Sequence, residues 1–268
     1  MARESRFTAE AAGLGVLHEG AAGASVCVVL LNAGAMHRVG PFRLYVALAR
    51  DLAQRGFPVL RLDQPGVGDA IGSASQSPVD LLRQVLDRLQ SSTGCSRFVV
   101  GGICSAADLG WRLALRDPRV AGLLLFDPLA RRAHPAFRLG QLGLHWRRGP
   151  VAWGSALRRL FRRRESDAGG ASADDSQLRD WPAPGAEAGE LARLVGRGVE
   201  VFALYTGGAA KYMTHPWQFL RGFGAAARDP HVRFLHWTEC DHLFYRPVDR
   251  ERLQRAVADW MQQRFGGA

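Results

Sequence analysis

The stretch RFVVGGICSAADLGWRLAL, residues 97–115, constrains the fold more than any other part of the chain. Residues 98–101 form a run that is too short for a helix and rich in residues that favour strands. Residues 106–115 instead carry apolar side chains at helical spacing. The pattern therefore predicts a buried strand that passes through a tight turn directly into a helix, with Cys104 at the turn.

Small residues flank Cys104 two positions away on each side. A side chain on so tight a turn projects above the sheet only if those neighbours are small, since larger ones would strike the backbone beside the turn. Gly102 and Ala106 meet this requirement, so Cys104 is the predicted nucleophile. Ser105 is the rival, but it would place the β-branched Ile103 at the crowded position. A buried cysteine that only fills space is an interpretation that this stretch alone leaves open.

Length and composition favour one large soluble α/β domain, or one domain with an insertion. The 268 residues suffice for a large core. No apolar run approaches the ~20 residues that cross a bilayer, and residues 1–12 lack the apolar core of a signal peptide, so we predict a cytoplasmic protein. The four cysteines have no metal-binding or disulfide spacing. No phosphate loop or nicotinamide fingerprint is present, so neither a cofactor nor a metal is expected.

Strand-like and helix-like segments alternate along the chain. Short β-branched runs separated by helical segments imply right-handed crossovers and a mostly parallel, doubly wound sheet. The strands are predicted at residues 14–18, 25–31, 57–62, 98–101, 120–126, 199–205 and 232–237. The helices are predicted at residues 44–53, 80–90 and 106–115, then up to about residue 227, and finally at residues 253–265.

An insertion interrupts this repeat at residues 128–198, and the core is predicted to comprise residues 1–127 and 199–268. The insertion would lie over the carboxyl edge of the sheet, where a helical lid sits. Its segment 128–164 has ten arginines and no acidic residue, which matches the net charge of +10. The following segments, ESDAGGASADDSQ and WPAPGAEAGE, have the composition of a mobile linker.

Three ordered stretches give the chain a resemblance to a known family. They are NAGAMHRVGPFRLYVALARDLAQRGFPVLRLDQPGVGD, GGICSAADLGWRLALRDPRVAGLLLFDP and ECDHLF. The chain resembles the α/β-hydrolase superfamily across nearly its full length, the lid excepted, with cysteine and alanine in the family's G-x-S-x-G nucleophile elbow. More narrowly, it is similar to bacterial α/β-fold hydrolases associated with exosortase and exopolysaccharide systems.

The resemblance implies roles for several further residues. His242, after the last strand, matches the position of the family's catalytic base. The backbone N–H groups of Ser105 and of Gly34 or Ala35 would form the oxyanion hole. Arg38 is a candidate to hold an anionic group of the substrate, or else it caps local backbone.

The acid of the catalytic triad is less clear from the sequence. In many relatives it follows the strand at residues 199–205, but here the loop TGGAAKYMTH has no carboxylate. Asp127 occupies an alternative position used by some members of the superfamily and is our nominee. Glu239 and Asp241 are its rivals, and Asp63 is predicted to shape a turn.

A cysteine nucleophile favours acyl transfer or thioester hydrolysis through an acyl-cysteine intermediate. The basic insertion is predicted to dock an acidic acyl carrier protein or a coenzyme A thioester. A solvated lid face and an amphipathic helix on a membrane surface are the other interpretations of that segment. No nucleic-acid-binding motif accompanies the charge. A plain carboxylesterase and a catalytically silent scaffold that binds an acyl carrier are the alternative functions.

Overall fold

A single eight-stranded sheet forms the centre of the protein. A computed structural model describes residues 3–9, 12–72, 76–128, 185–210 and 213–267. The strand order across the sheet is β1-β2-β4-β3-β5-β6-β7-β8. The strands are β1 (Glu4–Ala9), β2 (Gly13–His18), β3 (Val26–Leu30), β4 (Val59–Asp63), β5 (Arg97–Ile103), β6 (Val120–Phe126), β7 (Glu200–Thr206) and β8 (Val232–Trp237).

The predicted parallel, doubly wound sheet is confirmed. All pairs from β4 through β8 are parallel, while β1 and β2 are antiparallel to each other and β2 is antiparallel to β4. Strand β1 was not predicted, and it forms the edge of the sheet beside β2, the strand predicted at residues 14–18. In β1 only Phe7 and Ala9 are buried, which leaves almost no apolar run in the sequence to indicate a strand.

Helices cover both faces of the sheet. They are α1 (Leu44–Gln54), α2 (Pro78–Thr93), α3 (Ser105–Arg116), α4 (Glu187–Gly196), α5 (Pro216–Gly222) and α6 (Pro247–Phe265). The apolar sides of α1 and α6 pack on one face, and those of α2 to α5 pack on the other. None of the helices in the described ranges combines the length and apolar character needed to cross a bilayer.

Most of the predicted insertion, with its ten arginines, lies outside the described residues. Its last part differs from the prediction, because α4 begins within the WPAPGAEAGE stretch that was interpreted as linker. Leu191, Leu194 and Val195 recur at helical spacing and are buried against the core. The Trp111 Nε1–H of α3 also donates to Glu190 at 2.7 Å. This packing stabilises α4 as a helix, although the stretch in which it begins is rich in small and acidic residues.

Candidate active site

Cys104 lies on a strained turn between β5 and α3. Its backbone has φ 59° and ψ −122°, which L-residues rarely adopt. Its N–H donates to the Phe126 carbonyl at 2.8 Å, which ties the turn to the end of β6. The residue is half-buried. Strain of this kind persists only where the surroundings enforce it, and it is frequent at active sites.

The turn requires glycine at position 102 for a reason that the sequence did not reveal. Gly102 has φ +150°, and a Cβ there would lie 2.3 Å from Tyr45 Oη and 3.1 Å from the Cβ of Ala106. Tyr45 is fully buried on α1, and its Oη accepts the N–H of Ile103 at 2.8 Å. Both Tyr45, from α1, and the turn itself therefore exclude a larger side chain at position 102.

Gly102→Ala should destabilise the protein by about 1–3 kcal/mol, because the added methyl overpacks against Tyr45 and also strains the backbone. The measurement is the free energy of unfolding in urea. Gly189→Ala is the matched control, since a Cβ at this helical position of α4 meets nothing within 4 Å. Alanine there should stabilise by up to about 1 kcal/mol. Equal effects of the two substitutions would contradict the packing described for the turn.

His242 and Asp127 form a close pair at the carboxyl edge of the sheet. His242 Nδ1 lies 2.7 Å from Asp127 Oδ2, and the two residues are 115 positions apart in the chain. The pKa of His242 is raised from 6.5 to about 9, chiefly by the hydrogen bond to Asp127 and next by the interaction with the Cys104 side chain. The ring is thus hydrogen-bonded to one carboxylate and close enough to the predicted nucleophile to interact with it.

Hydrogen bonds from the end of β7 hold the Asp127 carboxylate in position to pair with His242. The carboxylate is completely buried, and it accepts the Thr206 N–H and the Thr206 hydroxyl at 2.6 Å each. Its backbone N–H donates to the Leu204 carbonyl at 2.8 Å, and its φ is +50°. Aspartate tolerates this left-handed conformation better than most residues. Thr206 was not predicted from the sequence, although its place at the end of a buried run of β-branched and aromatic residues was an available signal.

The rival carboxylates have other partners. Asp241 accepts the backbone N–H groups of Leu243 and Tyr245 at 2.9 Å each, so it shapes the loop that carries His242. Glu239 forms an exposed ion pair with Arg252. Among these candidates, Asp127 is the carboxylate that the structure brings to His242.

The loop after β7 lacks a carboxylate but admits the histidine. A Cβ on Gly208 would lie 2.5 Å from the Cβ of His242 and 2.6 Å from its backbone nitrogen. The neighbouring Gly207 donates its N–H to the Cys240 carbonyl at 2.8 Å. Gly207 and Gly208 therefore allow the loop after β7 to pack directly against the loop that carries His242. The backbone after β7 supports His242 in this way.

The raised pKa of His242 predicts a pH dependence of stability. A group whose folded pKa exceeds its unfolded value stabilises the fold fully below the unfolded pKa, here 6.5, and loses that contribution as the pH rises through about 9. We expect the difference in the free energy of unfolding between wild type and His242→Gln to shrink over this interval. Urea titrations across it measure the difference. A difference that is constant or grows with pH would contradict the His242–Asp127 pair.

The predicted oxyanion residues meet in an unexpected way. The Gly34 N–H, in the loop after β3, donates to the Ser105 hydroxyl oxygen at 2.7 Å. Ser105 occupies the first position of α3, where a helix leaves its N–H groups without intrahelical partners. Ala35 is exposed beside Gly34. The structure thus brings Gly34 and Ser105 together, and the contact involves the serine side chain.

Arg38 is engaged by two carboxylates. Its guanidinium pairs with the buried Asp63 and, at 2.7 Å, with Asp69. Asp63 also accepts the Arg38 N–H at 2.6 Å and the Asn32 side-chain amide at 2.8 Å, so it holds the loop after β3 against the end of β4. A substrate anion would have to displace Asp69 to pair with this guanidinium. The contacts are those of a structural ion pair, and Asp63 has the turn-shaping position predicted for it.

His37 joins Asp63 and Asp69 in a group whose potential ligand atoms all lie within 4.8 Å of one another. The Arg38 guanidinium is bonded to both carboxylates of this group and supplies the positive charge there. A cation would compete with that guanidinium for the same oxygens. The group is accounted for by ion pairing.

The family of the chain follows from its sequence. The model of the alpha/beta hydrolase fold family matches residues 26–167, which is more than half of the chain. The chain belongs to the α/β-hydrolase fold family. No curated protein sequence matches it. Its narrower resemblance to exosortase-associated hydrolases stays a prediction.

Solved structures share the α/β-hydrolase fold at low sequence identity. A protein of unknown function from Agrobacterium tumefaciens has a TM-score of 0.60 at 13% identity, covering 99% of this chain and 97% of that one. An esterase from Pyrococcus furiosus has a TM-score of 0.60 at 14% identity, covering 99% and 91%. A proline iminopeptidase from Mycobacterium smegmatis has a TM-score of 0.55 at 17% identity, covering 99% of both. At these identities the likeness concerns the fold.

Proposed function

We propose that the protein is an acyl-transferring α/β-hydrolase, an acyltransferase or thioesterase that works through an acyl-Cys104 intermediate. The observation that carries this proposal is that His242 is hydrogen-bonded to Asp127 and interacts with the thiol on the strained elbow. A nucleophile beside a base that is oriented by a third group is the arrangement that nucleophilic catalysis requires.

The raised pKa of His242 fits a role as the proton carrier for a cysteine nucleophile. With a pKa of about 9, His242 is an imidazolium at neutral pH. Cysteine attacks as its thiolate, and in this proposal the Cys104 proton lies on His242 before acylation begins. Cys104 directly precedes the twelve-residue helix α3, and its side chain interacts with the His242 ring. The buried Asp127 balances the charge on the ring and fixes its orientation.

In acylation, the Cys104 sulfur forms a bond to the acyl carbon, and the carbonyl electron pair moves to oxygen. The oxyanion then re-forms the carbonyl and expels the thiolate or alkoxide of the substrate, which takes the proton of His242. In the second half, His242 removes a proton from water or from another acceptor as this attacks the thioester. The Cys104 thiolate then leaves, and His242 is again an imidazolium, as it was before acylation.

The nature of the nucleophile separates this proposal from a plain carboxylesterase. Exchange between two thioesters is nearly balanced in energy, so an acyl-cysteine can be formed from a thioester and passed to amines, thiols or alcohols as well as to water. A coenzyme A thioester or an acyl carrier protein is the proposed donor, on the basis of the arginine-rich sequence of residues 128–164. A site without an acid would favour the catalytically silent scaffold, whereas His242 here is hydrogen-bonded to Asp127.

Presteady-state turnover tests the proposal. Wild-type protein is mixed with a chromogenic acyl thioester and its matched oxyester, and with an acyl-coenzyme A of the same chain. We expect a burst of released thiol equivalent to the protein concentration, and a higher kcat/KM for the thioesters. Turnover of the oxyester alone would favour the carboxylesterase. Acyl-carrier binding with no release from any donor would favour the scaffold.

A further inference from the structure

The hydroxyl of Ser105 lies where an oxyanion would bind if the Gly34 N–H were its donor. Donors of an oxyanion hole lie about 2.7–3.1 Å from the oxyanion. Ser105 Oγ is already at 2.7 Å from the Gly34 nitrogen, which was the predicted donor from the loop after β3. A backbone N–H carries a single proton, so Gly34 cannot make two full hydrogen bonds.

Two arrangements are compatible with this contact during catalysis. Either the hydroxyl leaves and exposes the Gly34 N–H to the substrate, or it stays and passes the hydrogen bond on. A serine hydroxyl accepts through its lone pairs and donates one proton at the same time. Within the described ranges, nothing accepts the proton of the Ser105 hydroxyl, so this proton is available to a substrate oxygen. Ser105 is half-buried directly beside Cys104.

We propose that the Ser105 side chain is a catalytic oxyanion donor, held in place by the Gly34 N–H. The inference rests on the proposed acyl transfer, because it requires an oxyanion to form. When the Cys104 sulfur bonds to the acyl carbon, the carbonyl electron pair moves to oxygen, and this oxygen accepts the Ser105 O–H and the Ser105 N–H. Hydrogen bonds in a chain polarise one another, so the bond from Gly34 strengthens the hydroxyl as a donor.

Two reactions of Cys104 separate this role from a structural one. Acylation by a thioester passes through an oxyanion. Alkylation by iodoacetamide joins the sulfur to a methylene carbon and releases iodide, with no oxyanion at any stage. Both rates are measured on the full chain for wild type, Ser105→Ala and Ser105→Thr, with intact mass as the readout.

We expect Ser105→Ala to lower the acylation rate about 10²-fold, in the range seen when one oxyanion donor is removed. Its alkylation rate should stay within about twofold of wild type. Ser105→Thr, which keeps a hydroxyl, should recover most of the acylation rate.

Acylation of Ser105→Ala at or above the wild-type rate would overturn the inference, since the hydroxyl would then only occupy the hole. A parallel loss of acylation and alkylation would also overturn it, because that result describes a disturbed turn. If wild type is alkylated but never acylated, the proposed function itself fails, and the inference falls with it.

Discussion

Cys104→Ala should lower kcat for a thioester substrate by about 10³-fold or more, and no acyl-enzyme should form. Removing the nucleophile from a Ser-His-Asp site costs several orders of magnitude, and what remains comes from the oxyanion hole and from substrate binding. Cys104 is the half-buried thiol on the elbow, whereas Cys27, Cys95 and Cys240 are buried. Steady-state kinetics with a chromogenic thioester measure the loss.

Cys240→Ala is the matched control for this prediction. Cys240 lies two positions before His242, but its thiol is buried, and its pKa is raised to about 12 by burial as the main cause. Its replacement should change kcat by less than about tenfold. A Cys104→Ala variant with wild-type turnover would refute the acyl-cysteine account, and a comparable loss in Cys240→Ala would point to general damage of the site.

Asp127→Asn should lower kcat/KM by about 10²–10⁴-fold near neutral pH. In a serine protease the equivalent substitution leaves the geometry intact and lowers kcat about 10⁴-fold by favouring the wrong tautomer of the histidine, and a cysteine nucleophile depends less on the third group. The largest cause of the raised His242 pKa is its bond to Asp127. In Asp127→Asn, the pKa of His242 that is read from the pH–rate profile should therefore fall below about 9.

Glu239→Gln is the control for the acid. Glu239 was a rival on sequence grounds, and the structure pairs it with Arg252 at the surface. Its replacement should leave both kcat/KM and the pH–rate profile close to wild type. A pH–rate profile that is unchanged in Asp127→Asn but shifted in Glu239→Gln would reverse the assignment of the acid.

Local patterns predicted the sheet and the elbow because their causes are local. Strands β6 and β8 have the bounds that the apolar runs indicated, and the strand-turn-helix of residues 97–115 appears as α3 following β5. The antiparallel β1 was missed because it buries only two side chains. Helix α4 was not predicted, because it begins in a stretch rich in alanine, glycine and glutamate and has few apolar residues.

The supports of the site could not be predicted, because they come from contacts between distant parts of the chain. Tyr45 sets the limit on side-chain size at Gly102 from a helix 58 positions before Ile103. Thr206 supports Asp127 across 79 positions. The sequence has no carboxylate in the loop after β7. Only the fold shows that Thr206, at the end of β7, hydrogen-bonds to Asp127, which follows β6.

Arg38 illustrates the opposite difficulty. Its position beside the predicted oxyanion loop suggested an anion-binding residue. The fold pairs its guanidinium with Asp63, at the end of β4, and with Asp69, in the loop that follows, and sequence spacing does not reveal that pairing.

Mapping the acyl group tests the central claim most directly. After incubation with an acyl thioester and digestion with trypsin, residues 98–112 form one peptide, FVVGGICSAADLGWR, which contains both Cys104 and Ser105. Fragmentation of this peptide separates the two side chains. The account predicts the acyl mass on Cys104, and its release by hydroxylamine at neutral pH, as expected for a thioester. An acyl group on Ser105, or on any other peptide, would contradict it.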